Sequence, residues 1–186
     1  MTGPQSISSR NVVAFDGHRI YADHDPETRL GREMDLLLEQ LAVGIGVGSL
    51  ACGADILWSE ALHRRGAELH LFIPGSDRDF VEESVAPGGG SWVKRYRELL
   101  VASTTVTRVS RDQDAWEQSF RKTSEAMFAY AIAAARRLDV AVTLVSMWDG
   151  TKTTQTVGTG SDIALWRGFG LPVSFVQSQG RRVRGD

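Results

Sequence analysis

Short apolar runs alternate with helically spaced apolar residues along most of this chain, and this alternation constrains its fold more than any other feature. The apolar runs end in turn signals and predict strands at 11–15, 45–49, 68–74, 104–109, 140–148 and 172–176. The stretches between them predict helices at 32–44, 54–65, 77–85, 92–102, 116–138 and 161–169. Gly44 and Gly66 are expected to close the first two helices. Strands that alternate with helices and are apolar almost throughout indicate a parallel sheet covered on both faces. The sequence therefore predicts an α/β fold, a single-domain Rossmann-like three-layer sandwich with a mainly parallel sheet.

Length and charge limit the possible classes of protein. The 186 residues are enough for one well-buried domain and few for two. We expect a flexible N-terminal tail at 1–10, the domain at 11–176 and a basic C-terminal tail at 177–186. A net charge of −2 argues against a dedicated nucleic-acid surface, which is normally basic. No apolar run approaches the about 18 residues of a membrane span, and the N-terminus lacks the apolar core of a signal peptide. A cytoplasmic protein without a membrane or nucleic-acid partner is therefore expected.

Three predicted loops carry glycine together with aspartate. They follow the first, second and fifth strands, and they read DGHRI (16–20), GVGSLACGAD (46–55) and WDGTKTTQTVGTGSD (148–162). Ligands of such sheets bind outside the carboxyl ends of the strands, where the strand order reverses. Two of the loops run into helix N-termini, whose backbone N–H groups and positive dipole end suit an anion. We therefore expect the three loops to form one ligand site.

The second of these loops departs from both standard phosphate-binding motifs. Gly48 and Gly53 have the spacing of a P-loop, but Ala54 and Asp55 stand where lysine and serine or threonine are required. The dinucleotide fingerprint fails as well, because Ala51 takes the place of its third glycine. The carboxylate of Asp55 would repel a phosphate but can accept hydrogen bonds from ribose hydroxyls. It could equally do no more than charge the first turn of its helix.

A resemblance to a known family rests on three segments. GVGSLACGADILWSEALHRRGAELHLFIP (46–74) looks like the second strand–loop–helix unit of the SLOG superfamily, with the closest match at 49–55. These are Rossmann-like domains related to the LOG (lysine-decarboxylase-like) and DprA proteins. TVGTGSDIALWRGFGLPVSFV (156–176) resembles their closing unit. VVAFDGHRI (12–20) resembles the first strand and loop of variants found beside adenylate cyclase or tetratricopeptide domains.

The resemblance implies binding or sensing of a nucleotide or nucleotide-derived small molecule at the carboxyl edge of the sheet. Some members of the family hydrolyse the N-glycosidic bond of nucleoside monophosphates, and others act as sensors. The LOG-type hydrolases carry Pro-Gly-Gly-x-Gly-Thr-x-x-Glu, with the glutamate near the ribose. This chain has no proline there and a shorter acid, Asp162, in the segment 157–162, which weakens the hydrolase interpretation.

The expected ligand-binding residues come from the three loops. They are Asp16, Gly17, His18, Arg19, Gly48, Ser49, Leu50, Ala51, Gly53, Asp55, Trp148, Asp149, Gly158, Thr159, Gly160, Ser161 and Asp162. The turns 49–55 and 158–162 are expected to hold phosphate on backbone N–H groups, with Asp55 at the ribose and Arg19 supplying positive charge. Trp148 could stack on a base or close the core. If the protein is an enzyme, Asp162 or Asp55 is the essential carboxylate.

Other interpretations remain open. The first alternative is a LOG-like hydrolase of nucleoside monophosphates, and the second is an oligomerising module without a ligand. A homo-oligomer, dimer or higher, is expected for the protein, including the interpretation as a ligand-binding domain. Cys52 precedes a helix N-terminus, where a thiol can become nucleophilic, but a small residue also suits a tight turn there. A further acidic and histidine-rich cluster fits no standard zinc or calcium pattern, so neither a metal nor a cofactor is expected. Its members are Asp16, His18, Asp23, His24 and Asp25.

Overall fold

Strands and helices alternate along the chain, as predicted. The structure is a computed structural model that describes residues 10–19, 29–109, 116–148 and 157–176. Its strands are β1 (Asn11–Gly17), β2 (Val43–Gly48), β3 (Glu68–Pro74), β4 (Thr105–Val109), β5 (Val142–Met147) and β6 (Val173–Val176). Its helices are α1 (Arg29–Gln40), α2 (Ala54–Arg64), α3 (Asp77–Phe80), α4 (Gly90–Ala102), α5 (Trp116–Leu138) and α6 (Thr159–Gly168). The tails predicted at 1–10 and 177–186 lie, apart from residue 10, outside the described residues.

All pairings in the sheet are parallel. The strand order is β4-β3-β2-β1-β5-β6. The chain steps outward from β1 to β4, and α5 then carries it back across the sheet so that β5 lies beside β1. The strand order reverses between β1 and β5, which is the place where open α/β sheets bind their ligands. The predicted single-domain Rossmann-like fold is confirmed for the described residues.

The sheet separates two apolar clusters. On one face it packs against α1, α2 and α4, and on the other against α5 and α6. The side chains of β1 alternate between these faces: Val13 and Phe15 belong to the first cluster, and Val12 and Ala14 to the second. The same alternation places the next residue, Asp16, on the face covered by α5 and α6. The order of apolar and polar residues along β1 therefore sets the direction of a charged side chain.

Helix ends were predicted with mixed success. The bounds of α5 agree with the prediction, and Gly66 adopts φ 70° just after α2, as expected for a helix-closing glycine. The assignment of Gly44 as the cap of α1 was wrong. The helix ends at Gln40, the left-handed residue is Ala42 (φ 48°), and Gly44 lies in β2. A Cβ atom at position 44 would overlap the side chain of Arg10, which gives this glycine a packing role.

The segment after β3 is less regular than the predicted helix at 77–85. One α-helical turn, α3, continues as a π-helical turn at Val81–Val85 and a 3₁₀ turn at Ala86–Gly88. Such irregular turns often lie beside functional sites. Within the described part of the chain, no helix combines the length and apolar character needed to span a membrane.

Candidate functional site

The carboxyl ends of β1 and β5 lie side by side at the point where the strand order reverses. Asp16 of β1 stands in register with Ser146 of β5, and Gly17 with Met147. Asp16 and Gly17 were predicted to lie in the loop after the strand, which was wrong because β1 continues through Gly17. A Cβ atom at position 17 would lie 2.5 Å from the Cβ of Ala54, so glycine allows α2 to approach the strand closely.

Three contacts hold the start of α2 over the end of β1. The N–H of Ala54 donates to the carbonyl oxygen of His18 at 3.1 Å, and Arg19 forms an isolated antiparallel bridge with Gly53. The indole N–H of Trp58 donates to the carbonyl oxygen of Asp16 at 3.2 Å from within the core. The first turn of α2, which carries Asp55, is thereby fixed above β1.

The turn that leads into α2 uses several of its own N–H groups. Ala51 donates to a carboxylate oxygen of Asp55 at 3.2 Å, and Cys52 donates to the carbonyl oxygen of Ser84 at 2.9 Å. Together with the bond from Ala54, three of the N–H groups expected to hold phosphate already have acceptors within the protein. This turn therefore offers an anion fewer donors than its sequence suggests.

The glycines and the leucine at the end of β2 serve packing. A Cβ atom on Gly46 would lie 2.5 Å from the side chain of Leu62, and one on Gly48 would overlap the ring of Phe15. Leu50 is fully buried in the core. Gly48 and Leu50 can therefore reach a ligand only through their backbone, whereas Ser49 is half-buried.

The start of α6 is a second helix N-terminus at this edge. Gly158, the residue before the helix, has φ 107° and provides no side-chain cap, and its carbonyl oxygen accepts the N–H of Asp162 at 3.0 Å. By helix geometry, the N–H groups of Thr159 and Gly160 at the start of the first turn have no acceptor within the helix. Both residues are half-buried. This turn is the better candidate for an anion.

The N-terminal turns of α5 form a further wall. A helix of 23 residues is about 34 Å long, whereas a strand of six residues spans only about 20 Å. Ser124, whose hydroxyl donates to the carbonyl oxygen of Phe120 at 3.2 Å, lies close enough to Asp162 to lower the pKa of that carboxyl group, which places this part of α5 at the carboxyl edge of the sheet. Sequence analysis missed Ser124 because nothing in the helical pattern distinguishes it. It also missed Ser146, whose only signal is a polar residue inside an apolar run.

The carboxyl groups of Asp16, Asp55 and Asp162 are near enough to act on one another, and we refer below to the region around them, at the starts of α2 and α6, as the crevice. Asp16 is its most buried member, with 6% of its surface exposed. Neither carboxylate oxygen of Asp16 has a hydrogen-bond partner among the described residues. Burial raises the pKa of Asp16 well above its usual range, and the charges of Asp162 and Asp55 raise it further. The hydroxyl of Ser146 lies nearby and lowers the pKa of Asp16 in part. It does not meet the geometry of a hydrogen bond to either carboxylate oxygen.

The other two carboxyl groups are shifted in the same direction. Burial raises the pKa of Asp55 to about 7; the N–H of Ala51 and the charge of Arg19 lower it, while the charge of Asp162 raises it. Burial also raises the pKa of Asp162 to about 6, against a lowering by the neighbouring hydroxyl of Ser124. The crevice therefore holds protons near neutral pH, where ordinary aspartates are ionised.

Two residues beside the crevice differ in reactivity. Arg19 is exposed, donates to the carbonyl oxygen of Glu83 at 3.2 Å, and is the cation that acts on Asp55. Cys52 is only 1% exposed, and burial raises the pKa of its thiol to about 11. A protonated, inaccessible thiol is a packing group, so the structure favours the second of the two roles considered for Cys52.

Trp148 follows β5 and borders the site. Its backbone N–H donates to Val176 at 3.3 Å, and its ring lies 5.8 Å from that of Phe175. The indole N–H is buried and has no partner among the described residues, while the ring is half-buried.

Asp149 lies outside the described residues, as do Asp23, His24 and Asp25 of the acidic cluster. Within the described ranges, no group of histidine, cysteine, aspartate or glutamate residues is arranged to hold a metal ion.

Comparison with known proteins adds no identification: no protein-family model matches this chain, and no curated protein matches its sequence. The resemblance to the SLOG superfamily stays a prediction. What is shown is a Rossmann-like fold with three carboxyl groups gathered where its strand order reverses.

Proposed function

We propose that this protein binds a nucleotide or nucleotide-derived small molecule in the crevice. The main support is the convergence of Asp16, Asp55 and Asp162, from distant parts of the chain, at the reversal between β1 and β5. Acidic groups with perturbed pKa values in such a place are typical of functional sites, because a fold gains no stability from gathering them.

The surroundings suggest how the parts of a nucleotide are held. Asp55 can accept hydrogen bonds from ribose hydroxyls, since its carboxylate faces the crevice and one oxygen is held by Ala51. The start of α6 (159–160) is the phosphate site, because it has a positive dipole end and no side-chain cap. The exposed guanidinium of Arg19 can approach the same anion. Trp148 is the aromatic group available to a base.

A ligand screen tests this proposal. Thermal unfolding is followed with nucleosides and with mono-, di- and cyclic nucleotides, and at least one of them is expected to raise Tm. Asp162→Asn is expected to change the response of the protein to that ligand. Asp35→Asn, a change of an exposed carboxylate on α1, is the matched control and is expected to leave it unaltered. A flat response across the whole panel would refute the proposal.

A hydrolase of nucleoside monophosphates is the second candidate, favoured by the two carboxyl groups whose pKa values lie near 6 and 7. Near neutral pH one can be protonated while the other is ionised, as general acid and base catalysis requires. Water would add to C1′ of the ribose as the C1′–N bond breaks. The ionised carboxylate would take the proton of the water, and the protonated carboxyl group would give one to the departing base. The products are the free base and the sugar phosphate.

Product analysis tests the hydrolase. Each nucleoside monophosphate is incubated with the protein, and the free base is measured by chromatography. Both Asp55→Asn and Asp162→Asn are expected to abolish release, while Asp35→Asn retains it. If no base is released from any monophosphate, the enzyme is excluded and the binding proposal stands on the ligand screen alone. The predicted homo-oligomer is tested separately by size-exclusion chromatography with light scattering.

A further inference from the structure

We propose that Asp16 and Ser146 form the floor of the crevice and recognise hydrogen-bond donors of the ligand, such as sugar hydroxyl or amino groups, while excluding its phosphate. The ligand then contains a nucleoside moiety, and its uncharged donor groups contact the floor. This inference rests on the proposed function and assigns a specificity to two residues at the same site.

The position of the two side chains carries the first step. Asp16 and Ser146 are paired in register on adjacent parallel strands, so their side chains leave the sheet on the same face. Ser146 is fully buried, and Asp16 is 6% exposed. Neither the serine hydroxyl nor either oxygen of the carboxylate has a hydrogen-bond partner among the described residues.

Unpartnered buried polar atoms are uncommon, because each carries a desolvation cost that a hydrogen bond would offset. Here three such atoms lie on neighbouring strands, at the edge of the sheet where ligands bind. An ionised carboxylate can only accept hydrogen bonds, whereas a hydroxyl, like a protonated carboxyl group, can accept or donate one. In the ionised form of Asp16, the two carboxylate oxygens are therefore satisfied by ligand groups that donate hydrogen bonds.

The charges around the floor decide against an anion. The negative charges of Asp162, at the start of α6, and of Asp55, at the start of α2, both act on Asp16. The neighbouring cation, Arg19, acts on Asp55 and on Cys52. A phosphate on the floor would add negative charge to this buried group of acids, whereas an uncharged hydroxyl or amino group would not.

The sign of the pH dependence separates the two kinds of ligand. A donor group binds the ionised form of Asp16 best, so its binding releases protons and becomes tighter as pH rises through the titration of the crevice. A phosphate on the floor would require protonated carboxyl groups and would bind more weakly as pH rises. Nucleosides are the appropriate probes because they have no phosphate that titrates in the same interval.

The experiment measures the binding of adenosine, guanosine, cytidine, uridine and their 5′-monophosphates by calorimetry at pH 5.5 and 7.5. One nucleoside is expected to bind within about tenfold of its monophosphate. Release of up to one proton over these two pH units would tighten its binding by several-fold and at most about 100-fold.

Two variants link this behaviour to the floor. Asp16→Asn keeps the shape of the side chain and removes the titrating group, so it is expected to weaken nucleoside binding and abolish its pH dependence. Ser146→Ala is expected to weaken binding by about tenfold, the effect of a lost hydrogen bond. Ser174→Ala removes the hydroxyl of a half-buried serine on β6 and is the control that should bind normally. Near-UV circular dichroism checks that each variant is folded.

The outcomes distinguish the inference from the function on which it rests. Binding of a monophosphate without its nucleoside, or nucleoside binding that does not tighten as pH rises, overturns the assignment of the floor and leaves the proposed function intact. Normal binding and pH dependence in both Asp16→Asn and Ser146→Ala also overturn it. If none of the eight probes binds, the inference fails, and the response to the di- and cyclic nucleotides of the ligand screen decides whether the proposed function fails with it.

Discussion

Asp55→Asn is expected to stabilise the folded protein, and to do so more strongly at pH 8 than at pH 5. Burial raises the pKa of Asp55 to about 7 in the folded chain, whereas the unfolded chain has the ordinary value of 3.8. Between these two values the unfolded state gives up its proton and the folded state keeps it. The stability of the parent protein therefore falls as pH rises through this interval. The Asp55→Asn variant does not lose this stability, because asparagine cannot ionise.

The magnitude follows from the size of the shift. A difference of about three pKa units corresponds to about 4 kcal/mol of unfolding free energy, which is lost in full above pH 7. About 2 kcal/mol is already lost at pH 5, because the unfolded carboxyl group has titrated there. The difference in unfolding free energy between the variant and the parent should therefore be about 2 kcal/mol larger at pH 8 than at pH 5. The asparagine oxygen can still accept the N–H of Ala51, so the turn before α2 keeps its hydrogen bond.

The assay is urea unfolding of parent and variant at both pH values, followed by circular dichroism, with the slopes compared to confirm two-state behaviour. Asp35→Asn provides the control. Its carboxylate is exposed and lies 3.4 Å from Arg64, and such surface pairs contribute about 0–1 kcal/mol. The reasoning is refuted if Asp55→Asn gains equally at both pH values, or if it is less stable than the parent at pH 8.

Two further predictions concern packing. Gly48→Ala should lower the unfolding free energy by roughly 1–3 kcal/mol because its Cβ atom would overlap the ring of Phe15. Gly168→Ala at the end of α6, where a Cβ atom meets nothing within 4 Å, should leave Tm unchanged or raise it; equal losses in both variants would contradict the packing argument. The thiol of Cys52 should not react with Ellman's reagent at pH 8 until the protein is unfolded in urea, since it is 1% exposed and its pKa is raised to about 11. Rapid reaction of the native protein would show that the turn before α2 opens.

Local patterns predicted the elements of the fold well. The bounds of α5 and β3 follow from apolar periodicity and clear turn signals, which act within a few residues. Gly44 misled the prediction of the first helix because the same residue type serves as a helix cap and as a site of close packing. The contact with Arg10 that decides between these roles is tertiary.

The site was predicted in outline only. The glycine and aspartate signals identified Asp16, Asp55 and Asp162, but a single sequence does not show which strands are neighbours. Ser146 acquires its importance from being in register with Asp16, and Ser124 from the length of α5. The backbone N–H groups of the first glycine turn were assigned to phosphate because two of their acceptors, Ser84 and His18, are distant in the sequence.

The acidic groups elsewhere in the fold show what is unusual about the crevice. Glu60 is half-buried and makes two hydrogen bonds of 2.7 Å to Arg95, whose guanidinium also lies over an aromatic ring. Asp77 at the start of α3 is held in the same two-bonded manner by Arg108, at 3.0 and 2.6 Å. This sequence thus pairs acids with arginine where structure is the purpose. Asp16 is more buried than either acid, its carboxylate has no hydrogen-bond partner among the described residues, and it lies near two further acids. A fold that satisfies its acids at two other positions and leaves this carboxylate unpaired supports the proposal that a ligand supplies its hydrogen-bond partner.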